Sequence, residues 1–319
     1  MPEKVLRRLR MTNVLLSTTP MLKDYLKLHF IVLLWGFTAI LGKLLSLPPV
    51  EIVFWRTGLA ALGIGVLLTV RGQSLRVSGA QLARLLGVGV LVAAHWITFF
   101  LAARLSSVSV CLAGLATLAL WTSLLEPLLL RRPVRAYEVG LGLLTMAGLY
   151  LVSQAELDQL TGLLVAVLSA GLSALFSVLN SRLTQQHSPL ALTFYEMLGA
   201  CVSIALFLPF YGLYFTQGAG VRVGWHGLDW LWLLLLAGVC TVYAFSTFVE
   251  LMKRFSPFTV NLTINLEPVY GILLAVLIFD DKERMAGGFY LGTALILLSV
   301  LVHPLVAKRF SATSLPLTG

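Results

Sequence analysis

Arg56, His95, Glu126, Glu196, Glu250 and Glu267 sit in stretches that are otherwise hydrocarbon. An ionised side chain at the centre of a bilayer costs roughly 2.5–3.5 kcal/mol on insertion scales, so each needs a partner, water or a cavity to face. The most polar such stretch is NLTINLEPVYGILLAVLIFDD, residues 261–281. Within it Thr263, Glu267 and Tyr270 follow i, i+4, i+7 on one helix face, and Asn261 and Asn265 form a second polar pair at i, i+4. Pro268 has no N–H to donate and collides with the preceding turn, so a kink is expected there, with carbonyls freed for a ligand. Amide, hydroxyl and carboxyl groups at a bend suit a binding cavity. The same groups would also serve to bond neighbouring helices together.

Tyr243, Ser246, Thr247 and Glu250 form a second stripe at i, i+3, i+4, i+7, and His95 and Thr98 stand in a similar relation beside Trp96. Both stripes are candidates to line a pathway, with packed, hydrogen-bonded helices as the alternative. Glu196 and Glu267 are the candidates for proton coupling, because burial favours the neutral form of a carboxyl; Arg56 does not deprotonate and has no such role. Trp35, Trp96, Trp121 and Tyr195 offer flat amphipathic surfaces to an apolar or aromatic solute. No G-x-S-x-G, H-E-x-x-H or paired aspartates occur within these stretches, so no catalytic residues are assigned. Cys111, Cys201 and Cys240 are scattered without ligand spacing, and no metal or cofactor is expected.

The elements that hold these residues follow from composition. Hydrophobic residues make up 58% of the 319 and charged residues 12%, about half the charged share of a soluble domain. Some 20 apolar residues cross a bilayer. Ten such windows are expected: 26–45, 50–70, 82–103, 108–130, 137–153, 160–179, 190–210, 228–252, 258–279 and 287–306. The basic N-terminal stretch lacks an apolar core long enough for a signal peptide and reads as a cytoplasmic tail, 1–25, matched by a C-terminal tail, 307–319. With both termini in the cytoplasm, seventeen Lys and Arg fall in cytoplasmic segments and five on the other side, which with Arg56 accounts for all 23. The net charge of +9 thus serves orientation, and no nucleic-acid partner is expected.

The chain also repeats itself. PPVEIVFWRTGLAA (48–61) aligns with SPLALTFYEMLGAC (188–201), placing Arg56 opposite Glu196, and ITFFLAARLSSVSV (97–110) aligns with STFVELMKRFSPFT (246–259). Each half, 26–153 and 160–306, holds five windows. An odd number makes the second half enter the membrane in the opposite sense, an arrangement common in secondary transporters.

WGFTAILGK, FWRTGLAA, SSVSV and NLEPVYGILLAVLIFDD followed by FYLGTALILLSV give the chain a resemblance to the drug/metabolite transporter superfamily, EamA type. The resemblance implies an all-α integral membrane protein of ten transmembrane helices in two inverted five-helix repeats. It also implies a bacterial inner-membrane location, an outward direction of transport, and a recurrent, architectural position for Arg56. Two departures stand out. The family's mid-span proline of the fourth helix is missing, with Trp121 in that region and Glu126-Pro127 further on, and Asp280-Asp281 replaces a Gly-Glu after the ninth. An asymmetric site centred on Glu267 is therefore expected.

The function expected from these features is alternating-access export of a small organic metabolite, amino acid-like or drug-like. Helices one, three, four, six, eight and nine would line the cavity. Its candidate binding residues are Trp35, His95, Trp96, Trp121, Tyr243, Thr247, Asn261, Asn265 and Glu267. The solute and the lipid bilayer are the expected partners, and a homodimer is left open. An intramembrane enzyme and a non-transporting scaffold or sensor are the alternatives.

Overall fold

A computed structural model describes residues 22–155, 157–216, 226–279 and 286–313, which are helical apart from short connections. The elements are α1 (Leu22–Leu44), α2 (Pro49–Val70), α3 (Gly79–Leu105), α4 (Val108–Leu130), α5 (Ala136–Ala155), α6 (Leu160–Leu183), α7 (Pro189–Phe215) and α8 (Asp229–Leu251). α9 comes in two segments, Pro257–Ile264 and Glu267–Phe279, and α10 spans Gly287–Thr313. Among the described residues, seven helices, α1–α4 and α6–α8, are long and apolar enough to cross a membrane. Ten had been expected. α5 and α10 carry shorter apolar stretches, Ala136–Val152 and Gly287–Ser299, and α9 is made of two short segments. Residues 1–21 and the DDKER loop lie outside the described residues.

Local sequence sets where the helices begin. α2, α7 and α9 each open on proline, whose missing N–H costs nothing in a first turn. Ser188 and Ser256 precede two of these prolines and accept the N–H groups of Ala191 and Thr259 at 3.3 and 3.2 Å. Ser107 caps α4 likewise, and Ser78 with Gln81 forms a capping box at α3.

α3 packs against α6 and α7, α5 pairs with α10, and α4 crosses α9 so that the first segment of each touches the second segment of the other. The α3–α7 and α5–α10 crossings are close because glycine lies at them. A Cβ at Gly199 would stand 2.5 Å from the Leu86 carbonyl oxygen, and one at Gly148 would stand 2.5 Å from that of Gly292.

The kink expected at Pro268 is a full break at Asn265–Leu266, with Pro268 in the first turn of the new segment. α4 breaks at the equivalent place, Ala116–Thr117, without a proline. There Thr117 turns back on Gly114, whose carbonyl accepts both its hydroxyl at 2.9 Å and its N–H at 3.2 Å. That three-residue turn does in α4 what proline does in α9. α1 is broken as well, at Phe37, where Thr38 donates to the Trp35 carbonyl at 2.7 Å. Gly36 admits α9 here, since a Cβ on it would meet Gly271 N at 3.2 Å. Three discontinuous helices therefore meet at one level of the bundle.

Candidate functional site

Arg56 is 2% exposed, and two contacts hold its guanidinium. Its Nε donates to the Thr241 hydroxyl at 2.7 Å, and its Cζ lies 3.7 Å above the Trp96 ring. The ring's negative face and the hydroxyl dipole both favour the cation in this dry setting. Thr241 is itself positioned by an unusual stretch of α8. Residues Leu235–Tyr243 are π-helical, and the Thr241 hydroxyl closes on the Leu236 carbonyl five residues back at 2.7 Å. The same stretch turns the Cys240 carbonyl to α1, where it accepts the Trp35 indole N–H at 3.0 Å. Trp35→Phe removes this bond and should lower stability by about 1 kcal/mol, measured as a small drop in the thermal unfolding midpoint of purified protein.

These groups form part of the wall of a central cavity with a volume of about 50 Å³. α1 contributes Trp35 and Thr38, and α2 contributes Arg56. α3 adds His95, Trp96 and Phe99, α6 Ser173 and Phe176, and α8 Phe245 and Phe248. The aromatic rings form a continuous wall: Trp35 stands edge-on to Phe248 at 5.3 Å, Trp96 to Phe245 at 5.6 Å, and Phe176 joins them to His95 at 5.5 Å. His95 is held by α6. Its Nδ1 donates to the Ser169 carbonyl at 2.9 Å while the Ser169 hydroxyl donates to the His95 carbonyl at 2.9 Å, and Nε2 is left for the cavity.

The broken helices complete the wall with matched positions. Leu115 and Leu118 come from α4, and Ile264 and Glu267 from α9, so that Leu118 stands where its repeat counterpart is Glu267. Glu267 is 4% exposed, and no side chain among the described residues hydrogen-bonds its carboxyl, although Arg56 acts on it electrostatically. A guanidinium, a carboxyl and an imidazole thus share one aromatic chamber.

Of the residues singled out from sequence, Trp35, His95, Trp96 and Glu267 are brought together here. The others are placed elsewhere. Asn261 donates to the Thr122 hydroxyl at 2.9 Å and, with Glu126 accepting the Phe258 N–H at 3.0 Å, ties α9 to α4. Glu126 also pairs with Arg132 at 2.9 Å. Asn265 ends the first segment of α9, buried outside the cavity wall. Trp121 packs over Gly171, where an added Cβ would stand 3.4 Å from its ring. Tyr243, Thr247, Ser246 and Glu250 line a separate cavity at the surface with Arg71 and Lys253. α8 therefore turns its aromatic face inward and its polar stripe outward, toward charged connections. Glu196 is fully buried but away from the central wall, so its repeat position, shared with Arg56, has a different environment. Arg56 belongs to the chamber rather than to packing alone. The insertion cost of a cation in the middle of a span was the signal for it.

A model of the EamA-like transporter family matches residues 25–154 and again 160–303. A crystal structure of another protein superposes with a TM-score of 0.67 at 21% identity, covering 90% of this chain and 99% of that one, a likeness of fold. No curated protein matches the sequence. The two consecutive matches take in nearly every described residue, and with the apolar helices they make this chain a multi-pass membrane protein of the EamA-like transporter family.

Proposed function

We propose that the protein is a secondary transporter whose central chamber binds a small organic solute with an anionic group and a cationic or aromatic one, amino acid-like or drug-like in class. The observation that carries this reading is the placement of Arg56 and Glu267 in one aromatic-walled cavity at the breaks of α1, α4 and α9. Arg56 anchors the anionic group, Glu267 the cationic one, and the Trp35 and Trp96 rings take the flat part. Discontinuous helices at a midplane site are the usual means by which carriers bind charged solutes without exposing backbone to lipid. Ten spans in two inverted five-helix repeats are supported by the equivalent breaks of α4 and α9 and their reciprocal crossing. Rocking of one half against the other would give alternating access. Export across a bacterial inner membrane, with both termini cytoplasmic, follows the family and the distribution of Lys and Arg. No catalytic role is proposed.

Counterflow of labelled amino acids and organic cations into proteoliposomes tests the reading. Glu267→Gln should reduce counterflow of cationic and zwitterionic solutes at least tenfold while leaving the protein folded. Unchanged counterflow of every transported solute in that variant would remove Glu267 from the site.

A further inference from the structure

Buried polar atoms without partners concentrate away from the central chamber. Ser177 and Asn180 on α6 and Thr184 at its C-terminal end lie at i, i+3, i+7 on one face, each 0% exposed, and among the described residues neither the two hydroxyls nor either end of the Asn180 amide has a hydrogen-bond partner. In the turn that follows, the buried Nε2 of His187 is also unpartnered. Beside the Asn180 amide, on α7, stands Glu196, 0% exposed, with neither carboxyl oxygen partnered among the described residues. The Asn180 amide faces it without reaching hydrogen-bond geometry. Nearly all buried polar groups in proteins do find a partner, and where side chains supply none, water does.

Among the described residues no charged side chain pairs with Glu196. The charged and titratable groups on the surrounding elements face elsewhere: Arg56 of α2 and His95 of α3 line the chamber, Arg84 and Arg182 are exposed, and Glu250 and Lys253 belong to the surface cavity. On α7 itself Cys201 is directed to Thr57. A carboxylate alone in an apolar bundle is costly, so this group needs a proton or a small cation to accompany it. The strip spans about 10 Å of helix from Ser177 to Thr184 and then meets the α6–α7 turn.

We propose that Glu196 is a proton-binding site separate from the solute chamber, reached from the α6–α7 turn by a hydrated strip along Ser177, Asn180, Thr184 and His187. On release, the carboxyl O–H bond breaks and its electron pair stays on the carboxylate oxygen. The proton passes to water held by Asn180 and Thr184, and from there to His187 Nε2 or the solution. Its use in driving transport rests on the function proposed above; the proton site and its path do not.

Infrared difference spectroscopy of the full-length protein in lipid vesicles tests this without any solute. Wild type minus Glu196→Gln should show the carbonyl stretch of a protonated carboxyl, retained in Glu267→Gln and fading as pH is raised. In deuterated water the band should shift at once, and Thr184→Val should slow that shift at least tenfold while the band itself persists. A Glu196 band absent at every pH, or one indifferent to both pH and deuterium, overturns the proton site. A shift as fast in Thr184→Val as in wild type overturns the strip. If Glu196→Gln does not fold, Glu196→Asp, which keeps a carboxyl at the site and displaces its band, makes the same assignment. Counterflow measured on the same vesicles reports separately on the transport reading.

Discussion

Arg56→Leu is expected to reduce counterflow of every transported solute at least tenfold, and Arg56→Lys is expected to restore thermal stability in part but counterflow hardly at all. The guanidinium donates to Thr241, stacks on Trp96 and places a positive charge near Glu267. A charge-assisted hydrogen bond from it to a solute carboxylate would contribute about 1.5–3 kcal/mol, which is a ten- to hundredfold effect on binding. The effect on folding should be smaller than the sum of the lost contacts, because burying the cation carries its own desolvation cost. Lysine keeps the charge but has no planar fork to stack on Trp96 while donating sideways to Thr241. The double variant Arg56→Leu with Glu267→Leu separates the two roles. It should unfold later than Arg56→Leu alone, since no carboxyl is left without its cation, and yet remain inactive in counterflow. Wild-type counterflow in Arg56→Leu would show that the chamber is not the solute site.

Apolar length put the starts of α2, α7 and α9 within one residue of those observed, where proline opens each helix through its first turn alone. α4 was matched to the residue from apolar length. Its break was not foreseen. The cue sought was proline, whereas Thr117 breaks the helix with a local hydroxyl-to-carbonyl bond that threonine makes in many unbroken helices too. The polar stripe of α8 misled for a different reason. Periodicity assigns residues to one face but does not say what that face meets, and here the polar face meets charged loops while Phe245 and Phe248 meet the central cavity. Asn261 shows the same limit at one residue: its spacing from Asn265 is that of a binding pair, and its partner, Thr122, is 139 residues away. The asymmetry at the chamber was legible, since the fourth span lacks a Glu-Pro at the depth of Glu267-Pro268. The π-helical turn that offers Thr241 to Arg56 left no mark in the apolar run LLAGVCTVY.

The contact between α3 and α7 should be the least tolerant of added volume in the fold. Gly89→Ala would put a methyl 2.8 Å from the Ala200 backbone nitrogen and hard against the Glu196 carbonyl oxygen; Gly199→Ala would put one 2.5 Å from the Leu86 carbonyl oxygen and 2.7 Å from its Cα. Every obstacle is backbone, so no rotamer change relieves the clash and the helices must separate. Each substitution should destabilise by about 1–3 kcal/mol. Gly87→Ala, two residues from Gly89 with nothing within 4 Å of its added methyl, is the matched control and should be neutral or stabilising by up to about 1 kcal/mol from helix propensity. The two harmful changes should not add. Both open one crossing, so the double variant should lose less than the sum. Thermal unfolding of the four proteins in detergent reads all of this, and equal midpoints for Gly89→Ala and Gly87→Ala would refute it. Because α3 carries His95 and Trp96 to the chamber and α7 carries Glu196 to the polar strip, parting them should weaken solute counterflow and disturb the Glu196 carboxyl band in the same protein. Gly87→Ala should change neither.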